Sequence, residues 1–358
     1  MKIGIVGLGL IGSSIAKCLE NTTHEVVGLD NSEKVNEQAI ATKLVSKILA
    51  LKEMTNSCDL IVLCVPSLQV IELLDIALDG SAIVTDVASV KRNIFEHVAT
   101  LDQEKQSRFF GGHPMAGSEL SGIKAGRADL FKGRLWVTIP PIDCDLTQFS
   151  FIKDFITSLG AEQTILSAIE HDELVAYASH LPQLAASSLM DLARSKSQDR
   201  IALLRLAAGG FRDMTRIASS NPGIWLDIVN ENSSAITKSL DEYIACLTKV
   251  RNDVSNHDTK AIEELFLRAR SARIELPESA KLEGAYDEIV VNVKNEPGAI
   301  EQIISLKQNI NIYDIRIEHS SNGAEGLMNL LVDRNIGSDF ENSLVEAGYV
   351  VSRSELTI

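Results

Sequence analysis

His113 is the side chain of this 358-residue sequence best suited to acid–base chemistry. It lies in Gly112-His113-Pro114, where an apolar run typical of a strand stops. Because an imidazole titrates near neutrality, His113 can take a proton from a substrate hydroxyl while a hydride leaves the same carbon. A lone histidine before proline more often caps a turn through its ring nitrogens. The expected position at the carboxyl edge of a sheet, where ligands bind, favours the chemical role here.

A glycine pattern near the start of the chain predicts that the hydride acceptor is a bound dinucleotide. The strand-like run 2–6 is followed by Gly7-Leu8-Gly9-Leu10-Ile11-Gly12 and then by an amphipathic helical segment. In a dinucleotide-binding unit the first glycine allows a tight turn, the second lets backbone approach a pyrophosphate, and the third lets helix and strand pack closely. Free N–H groups at the helix start then hold the phosphates. We therefore expect this whole segment to bind a dinucleotide, rather than to form the glycine-rich turn of another α/β domain.

Asp30 predicts which dinucleotide is bound. It ends a second apolar run, 26–29, and lies 18 positions after Gly12. A carboxylate at this point accepts hydrogen bonds from both ribose hydroxyls and repels a 2′-phosphate. The next residues, 31–33, include no arginine that could hold such a phosphate. The sequence therefore favours NAD over NADP.

Two further loops are expected beside the nicotinamide, because each follows an apolar run. Val65 and Pro66 end the run 59–66, and Ser89 lies in the loop after the run 82–86. The carboxyl ends of parallel strands meet at one edge of a doubly wound sheet, where substrate meets cofactor. We expect both loops to face the nicotinamide together with the His113 loop, and Val65 and Pro66 to bind the cofactor.

His180 and Gln183, in a later helical stretch, are candidate substrate-binding residues. Residues 167–194 have helical periodicity, with an expected bend at Pro182 because proline interrupts the hydrogen-bond ladder. His180 and Gln183 are three positions apart and therefore share one helix face. His171 is nine positions before His180, on the opposite side of a straight helix, and is expected to be structural.

The segment 209–216 combines two glycines with Arg212 and Arg216 in a hydrophobic setting. Arginine binds a carboxylate through a planar, two-pronged contact, which makes both residues candidates for holding an anionic substrate. A structural ion pair of either arginine, for example with Asp213, explains the segment equally well.

The composition restricts the partners of the protein. A formal charge of −15 disfavours nucleic acid and anionic membranes, so an anionic substrate requires a local cationic cluster. The five cysteines are scattered without a C-x-x-C pair, which predicts buried thiols and neither disulfides nor a metal site. The chain starts with a strand, shows no signal-peptide pattern and has no apolar run of membrane-spanning length. We expect a cytoplasmic protein.

Strand and helix patterns predict three domains. In residues 1–150, strand patterns alternate with helical ones, which predicts a Rossmann-type, doubly wound and mostly parallel α/β sheet. Strand patterns almost vanish in residues 151–283, which predicts an all-helical domain. Its apolar stripe from 236 to 254 suits either a dimer contact or an ordinary core. Residues 284–358 have the order β-α-β-β-α-β, which predicts a ferredoxin-like α+β domain.

These motifs together resemble those of the prephenate/arogenate dehydrogenases of tyrosine biosynthesis. The resemblance covers residues 1 to about 280 and rests on five segments: Gly7-x-Gly9-x-x-Gly12, Asp86-x-x-Ser89-Val90-Lys91, Gly112-His113-Pro114-Met115-x-Gly117, Ser179-His180-Leu181-Pro182 and Gly209-Gly210-Phe211-Arg212-Asp213-x-Thr215-Arg216. The tail, with Asn295-x-Pro297-Gly298, resembles an ACT domain, a regulatory module that often binds amino acids.

The resemblance implies an activity and a role for each motif. The enzyme would oxidise the ring hydroxyl of prephenate or arogenate with NAD, and loss of the ring carboxylate as carbon dioxide would make the ring aromatic. His113 would accept a hydrogen bond from the hydroxyl, Ser89 would orient His113 and the hydroxyl, and Arg216 would bind a carboxylate. Many prephenate-specific relatives carry a histidine where this chain has Gln183, which leaves the preference between the two substrates open.

The resemblance also implies assembly and regulation. We expect a homodimer, and we expect L-tyrosine to bind near Asn295, Gly298 and Ala299, where N–H groups at a helix start can hold its carboxylate. Two other functions compete: a two-domain NAD-dependent hydroxyacid or imino-acid reductase, and a non-catalytic NAD-sensing regulator. The reductases lack the His113 loop together with segment 211–216, and turnover of prephenate separates the enzyme from the regulator.

Overall fold

The computed structural model describes most of the chain in two compact units. The described residues are 1–117, 120–196, 209–275, 285–294, 296–306, 310–319 and 325–357. Unit 1 comprises residues 1–269 and unit 2 residues 270–358. Each unit has a hydrophobic core of its own.

Strands and helices alternate through the first 165 residues of unit 1. The strands are β1 (Lys2–Val6), β2 (Glu25–Leu29), β3 (Leu60–Leu63), β4 (Ile83–Asp86), β5 (Phe109–Pro114), β6 (Leu135–Ile139) and β7 (Glu162–Ile165). The helices are α1 (Leu10–Leu19), α2 (Glu33–Ala41), α3 (Leu51–Ser57), α4 (Ser67–Ala77), α5 (Arg92–Val98), α6 (Gln103–Gln106) and α7 (Leu146–Ser158). The strands form one sheet in the order β2-β1-β3-β4-β5-β6-β7, in which only β5 and β6 pair antiparallel. The predicted Rossmann-type, mostly parallel sheet is confirmed.

The strand order creates a crevice at the carboxyl ends of β1 and β3. The chain passes from β1 through α1 to β2 on one side of β1, and it then crosses to β3 on the other side. Ligands of doubly wound sheets bind at such a switch point. The glycine loop follows β1 and Val65 follows β3, so both border this crevice.

The sheet is held by apolar cores on both of its faces. In β3, Leu60 and Val62 belong to one core cluster, whereas Ile61 and Leu63 belong to the other. Successive side chains of a strand point to opposite faces, so a strand that is covered on both sides must be apolar throughout. This requirement explains the uninterrupted apolar run that marks β3 in the sequence.

Strand β7 lies in a stretch where the sequence patterns indicated only helices. It pairs in parallel with β6 and extends the sheet to Ile165. Its four residues, Glu-Gln-Thr-Ile, show neither a continuous apolar run nor a clear alternation, because β7 is an edge strand whose residues are at most half-buried. The expectation that strands end before residue 151 was therefore wrong.

The described residues from 168 to 275 are almost entirely helical, which confirms the predicted helical middle region. The elements are α8 (Ala168–Val175), a π-helical turn (Ala176–His180), α9 (Leu181–Lys196), α10 (Gly209–Thr215), a 3-10 turn (Arg216–Ser219), α11 (Pro222–Glu231), α12 (Ser233–Ser255) and α13 (Thr259–Glu275).

A π turn lies just before Pro182, where the sequence predicted a bend, and the bend itself stays a prediction. At this turn the Leu181 N–H donates to the Ala176 carbonyl, five residues back instead of four. Proline has no N–H and its ring clashes with the carbonyl four residues earlier, here that of Ala178. A wider turn just before Pro182 relieves that clash.

Unit 2 follows with β8 (Ala285–Lys294), α14 (Ala299–Ser305), β9 (Ile312–His319), β10 (Glu325–Asp333), α15 (Arg334–Glu346) and β11 (Val351–Thr357). The four strands form an antiparallel sheet in the order β11-β8-β10-β9. Side chains such as Ile289, Met328 and Phe340 form its core. That this unit is a ferredoxin-like ACT domain stays a prediction.

Three global properties bear on the function. Among the described residues, no helix is both long and apolar enough to cross a membrane. The described residues also contain no cluster of three or more His, Cys, Asp or Glu side chains that could hold a metal ion. All five cysteines are free thiols.

Candidate active site

The three glycines of the loop after β1 have the geometry that a dinucleotide needs. Gly7 has φ +91°, in the region that favours glycine. A Cβ on Gly12 would lie 2.0 Å from the Gly7 carbonyl oxygen, so α1 can pack this close to β1 only because Gly12 has no side chain. A Cβ on Gly9 would meet nothing within 4 Å, which leaves its outer side open. The loop therefore fits the pyrophosphate of NAD, with the unpaired N–H groups of the first turn of α1, at Leu10 and Ile11, directed to it.

Asp30 lies next to this loop at the end of β2. Its Oδ2 accepts a hydrogen bond from the Leu8 N–H over 2.9 Å, and its Oδ1 accepts one from the Ser32 N–H over 2.9 Å. Each carboxylate oxygen can accept a further hydrogen bond. Asp30 can therefore hold the glycine loop in place and bind ribose hydroxyls at the same time.

The loop after β3 is connected to the helical region. Val65 and Pro66 precede Ser67, whose hydroxyl donates to Oε1 of Glu231 over 2.5 Å. Burial raises the pKa of the Glu231 carboxyl, and the hydrogen bond from Ser67 opposes that shift. Because Glu231 ends α11, this contact fixes the helical region against the cofactor edge of the sheet.

A buried ion pair shapes the loop between β4 and α5. The Lys91 ammonium group contacts Oδ2 of Asp86, and both side chains are fully buried. Asp86 also accepts from the N–H of Ala88 over 2.9 Å and from the N–H of Gly112 over 3.0 Å. Burial lowers the pKa of Lys91, and Asp86 counteracts this effect. Since Gly112 precedes His113, Asp86 fixes the two loops relative to each other.

His113 is the first member of a chain of hydrogen bonds. Its Nδ1 lies 2.8 Å from Nε2 of His171, and Nδ1 of His171 lies 2.7 Å from Oδ1 of Asp172. The Asp172 carboxylate also accepts from the N–H groups of Lys91 and Arg92, each over 2.9 Å. His171 and Asp172 are at most 1% exposed. The other ring nitrogen of His113, Nε2, has no hydrogen-bond partner in the described part of the chain.

The surroundings favour the neutral form of His113. Burial holds its pKa well below the usual range, and His171, Lys91 and His180 lower that pKa further. Burial also lowers the pKa of His171, against the effect of Asp172, and lowers the pKa of His180 to about 4. A neutral imidazole with a free ring nitrogen is what a general base requires.

The side chains of His180 and Gln183 are also buried. The Asn232 side-chain amide donates to the Asp172 carbonyl over 2.7 Å and lies 3.2 Å from Nδ1 of His180. Trp225 packs edge-on against the His180 ring, with 6.1 Å between the ring centroids. The Gln183 side chain lies one turn further along α9.

In the part of the chain that the structure describes, neither Ser89 nor Arg216 forms a hydrogen bond or ion pair with His113. Ser89 is partly buried, and among the described residues it forms no hydrogen bond, so its predicted role in orienting His113 is not visible here. Arg216 begins the 3-10 turn that packs against α9, and Arg212 lies in α10. Both arginine side chains are exposed, and neither forms an ion pair with a described residue, Asp213 included. Both guanidinium groups are therefore available to an anion.

His171, Asp172 and Asn232 are the site residues that the sequence reasoning missed. His171 was expected to lie opposite His180 on a straight α-helix, but a π turn separates the two residues. Pro182 was the available signal, since it marks the interruption. Nothing in the sequence pattern points to Asn232, because its contacts are made across the fold.

Two family models match adjoining parts of the chain. Residues 15–165 match the nucleotide-binding domain of prephenate dehydrogenase, and residues 167–268 match its dimerization domain. The matches meet at the point where β7 has ended and α8 begins, so they divide the chain where the sheet gives way to helices.

Individual relatives agree with the family models. A prephenate dehydrogenase of Bacillus subtilis is 31% identical over 346 residues, which are 91% of this chain and 90% of that protein. One of Lactococcus lactis is 32% identical over 331 residues, 89% of this chain and 90% of that protein. The crystal structure of Synechocystis arogenate dehydrogenase matches with a TM-score of 0.68 and 31% identity, and covers 77% of this chain and 100% of that one. Prephenate dehydrogenase of Aquifex aeolicus, solved with hydroxyphenyl propionate and NAD+, matches with a TM-score of 0.70 at 26% identity, over 77% of this chain and 98% of that one.

Proposed function

Because the chain belongs to the prephenate dehydrogenase family, we propose that it oxidises prephenate, arogenate or both with NAD, and releases carbon dioxide on the route to tyrosine. The observation that carries this proposal is the state of His113. It lies at the same sheet edge as the glycine loop, and its Nε2 has no partner among the described residues. Burial holds the pKa of His113 well below its usual range, which favours the neutral imidazole. Such a group can accept a proton from a ring hydroxyl.

The reaction follows from that proton transfer. NAD supplies the hydride acceptor when it is bound along Gly7–Gly12. His113 accepts the hydroxyl proton at Nε2 as the C–H bond of the same carbon breaks and its electron pair leaves with the hydride. The bond to the ring carboxylate then breaks, and its electron pair moves through the ring to the new carbonyl oxygen. His113 returns the proton to that oxygen, which yields carbon dioxide and a phenol.

The choice of substrate depends on the group that meets the side chain of prephenate or arogenate. Gln183 is buried and donates to the Ser187 hydroxyl over a long 3.4 Å. Its neutral amide can donate to the keto group of prephenate or accept from the ammonium group of arogenate. This observation supports both substrates, and the proposal therefore includes both.

Assays with each substrate and each nicotinamide cofactor test the proposal. We expect NADH to form with prephenate, arogenate or both, and little NADPH to form. If a folded protein that binds NAD reduces it with neither substrate, the non-catalytic regulator becomes the better interpretation.

Replacement of Asp30 by alanine together with Asn31 by arginine should move the cofactor preference toward NADP. The repulsion of the 2′-phosphate is removed and an attraction takes its place. We expect the ratio of kcat/KM for NAD to that for NADP to fall by roughly tenfold or more, since charged hydrogen bonds contribute about 1.5–3 kcal/mol each. Asp30 also binds the Leu8 N–H, so the Asn31→Arg single variant serves as the control for loop disruption. An unchanged ratio would mean that the carboxylate is not on the ribose.

A homodimer is the assembly that we propose. The support is the match of residues 167–268 to a dimerization domain. In α12, the apolar side chains of Ile244, Leu247 and Val254 are 57%, 48% and 59% exposed. Apolar side chains at helical spacing gain stability when another surface covers them, and a second copy of the chain is the partner that we propose for this surface.

We extend the proposal to an ACT-like regulatory role for unit 2, with L-tyrosine as the effector. The support is the β-α-β-β-α-β order and a small cavity of about 70 Å³ bordered by Lys294, Glu296 and Ala299. Gly298, with φ +89°, precedes α14, and Asn295 lies outside the described residues. The Ala299 N–H donates to the Glu296 carbonyl over 3.3 Å, so the other N–H groups of this helix start would hold the carboxylate. Lys294 is the cationic group at this cavity.

A chain truncated after Leu282 should stay active and lose inhibition by tyrosine. An effector shifts an equilibrium only through its differential affinity for two states, so removal of its site removes the shift. Loss of a coupling of the usual size would raise the half-inhibitory tyrosine concentration by about 5–150-fold. Steady-state rates at increasing tyrosine measure this change.

The competing outcomes of the truncation are distinct. Inhibition that survives would show that tyrosine competes at the active site as a product analogue. Loss of all activity would show that unit 2 is structural, and the full-length Lys294→Gln variant then tests the effector site without truncation.

A further inference from the structure

We infer that His171 and Asp172 are positioning residues that hold the proton of His113 on Nδ1, so that Nε2 faces the substrate as the proton acceptor. This inference rests on the proposed function, because it concerns the base of that reaction. It is carried by two short hydrogen bonds, which join His113 to the buried side chains of His171 and Asp172. When both rings are neutral, only one arrangement of protons satisfies both bonds.

The direction of the hydrogen bonds is set at Asp172. Its carboxylate faces three donors: the backbone N–H groups of Lys91 and Arg92 and the ring of His171. A carboxylate that accepts this many hydrogen bonds is ionised and can only accept. Nδ1 of His171 must therefore carry a proton and donate it to Asp172.

The rest of the arrangement follows from one ring to the next. A neutral imidazole with its proton on Nδ1 has a lone pair on Nε2, so His171 Nε2 must accept. The group 2.8 Å from it is Nδ1 of His113, which must donate. His113 then has its lone pair on Nε2, the nitrogen without a partner among the described residues.

The charged groups around the pair favour the same arrangement. Lys91 and His180 disfavour an added proton on His113 before the substrate arrives. Burial and Lys91 lower the pKa of His171, and Asp172 and Asp86 oppose this shift, so the surroundings favour a neutral His171 as well. When His113 takes the substrate proton, the imidazolium forms at the end of a hydrogen-bonded chain that leads to the Asp172 carboxylate. An ionised carboxylate that orients and stabilises a histidine in this way is the logic of the hydrolase triad.

Two variants of His171 separate positioning from a merely structural role. A glutamine side chain reaches the position of Nε2 and can accept from His113, whereas an asparagine side chain reaches only the position of Nδ1. We expect His171→Asn to lower kcat by at least about tenfold, up to the roughly 10⁴-fold cost of a wrong histidine tautomer. We expect His171→Gln to recover most of that loss, with KM for prephenate nearly unchanged in both variants.

The tautomer itself can be measured by NMR of the full-length protein labelled with ¹⁵N in its seven histidines. Two-bond couplings show which ring nitrogen carries the proton, and the His113→Asn variant identifies the His113 signals. We expect His113 to carry its proton on Nδ1 in the wild type, and to lose this preference in His171→Asn. A proton on Nε2 in the wild type, or equal kcat values for the two His171 variants, would overturn the inference.

His97 provides a control for these measurements, and the NMR result separates this inference from the proposed function. His97→Asn changes a histidine that pairs with Asp75 on the surface over 3.6 Å, and should leave the tautomer and kcat unaltered. The NMR measurement needs no turnover. If the wild-type protein has the expected tautomer but turns over neither prephenate nor arogenate, the proposed function is contradicted. If the protein is active but His113 has the other tautomer, only the positioning role of His171 and Asp172 is contradicted.

Discussion

The His113→Asn variant is expected to lose about 10²–10⁴-fold in kcat, the usual contribution of general-base catalysis. The asparagine amide can still donate to His171, but it cannot take up the substrate proton. The fold and the dissociation constant of NAD should therefore stay close to those of the wild type. Steady-state kinetics with the preferred substrate and a direct titration with NAD measure the two properties separately.

Near-normal turnover in this variant would remove His113 from the role of the base. Loss of NAD binding together with turnover would mean that the substitution damaged the sheet edge rather than the chemistry. His180→Asn is the informative comparison, because His180 is buried in the same cluster but bonds to Asn232 instead of His171. We expect His180→Asn to change KM more than kcat.

The Arg216→Gln variant is expected to raise KM by about 10- to 150-fold, because a charged hydrogen bond to a substrate carboxylate contributes about 1.5–3 kcal/mol. The expected increase in KM is moderate because the Arg216 side chain is exposed, and solvent screens the charge of an exposed guanidinium group. NAD affinity should change little, since Arg216 lies in the helical region and not at the glycine loop. KM for the substrate and Kd for NAD are the two quantities to compare.

Arg212→Gln is the matched control for this prediction. Arg212 lies four positions before Arg216, is also exposed and also forms no ion pair with a described residue. If KM is unchanged in Arg216→Gln but rises in Arg212→Gln, the carboxylate is bound by Arg212. If both variants keep a normal KM, the substrate carboxylate is not held by this segment.

The edge of the sheet could be predicted from the sequence because its signals are local. The turn geometry is indicated directly by the spacing of Gly7, Gly9 and Gly12. A buried parallel strand such as β3 appears in the sequence as a continuous apolar run. His113 could be singled out because a strand, two glycines and a proline place it at the carboxyl end of β5. These properties depend on a few neighbouring residues.

The features that could not be predicted depend on contacts across the fold. β7 has no apolar pattern because it lies at the edge of the sheet. A π turn separates His171 from His180, so the angle between them around the helix axis is not the one that regular helical periodicity predicts. The hydrogen bonds of Asp172 to Lys91 and Arg92 join residues about eighty positions apart, which no local pattern records.

The most direct test of the central claim is a product analysis of the wild-type enzyme with prephenate and NAD, and with arogenate and NAD. The claim predicts one NADH and one carbon dioxide for each molecule of 4-hydroxyphenylpyruvate or tyrosine formed, with little of any of the three from His113→Asn. The result that would contradict it is a folded, NAD-binding protein that forms no NADH with either substrate, or that forms NADH without loss of carbon dioxide.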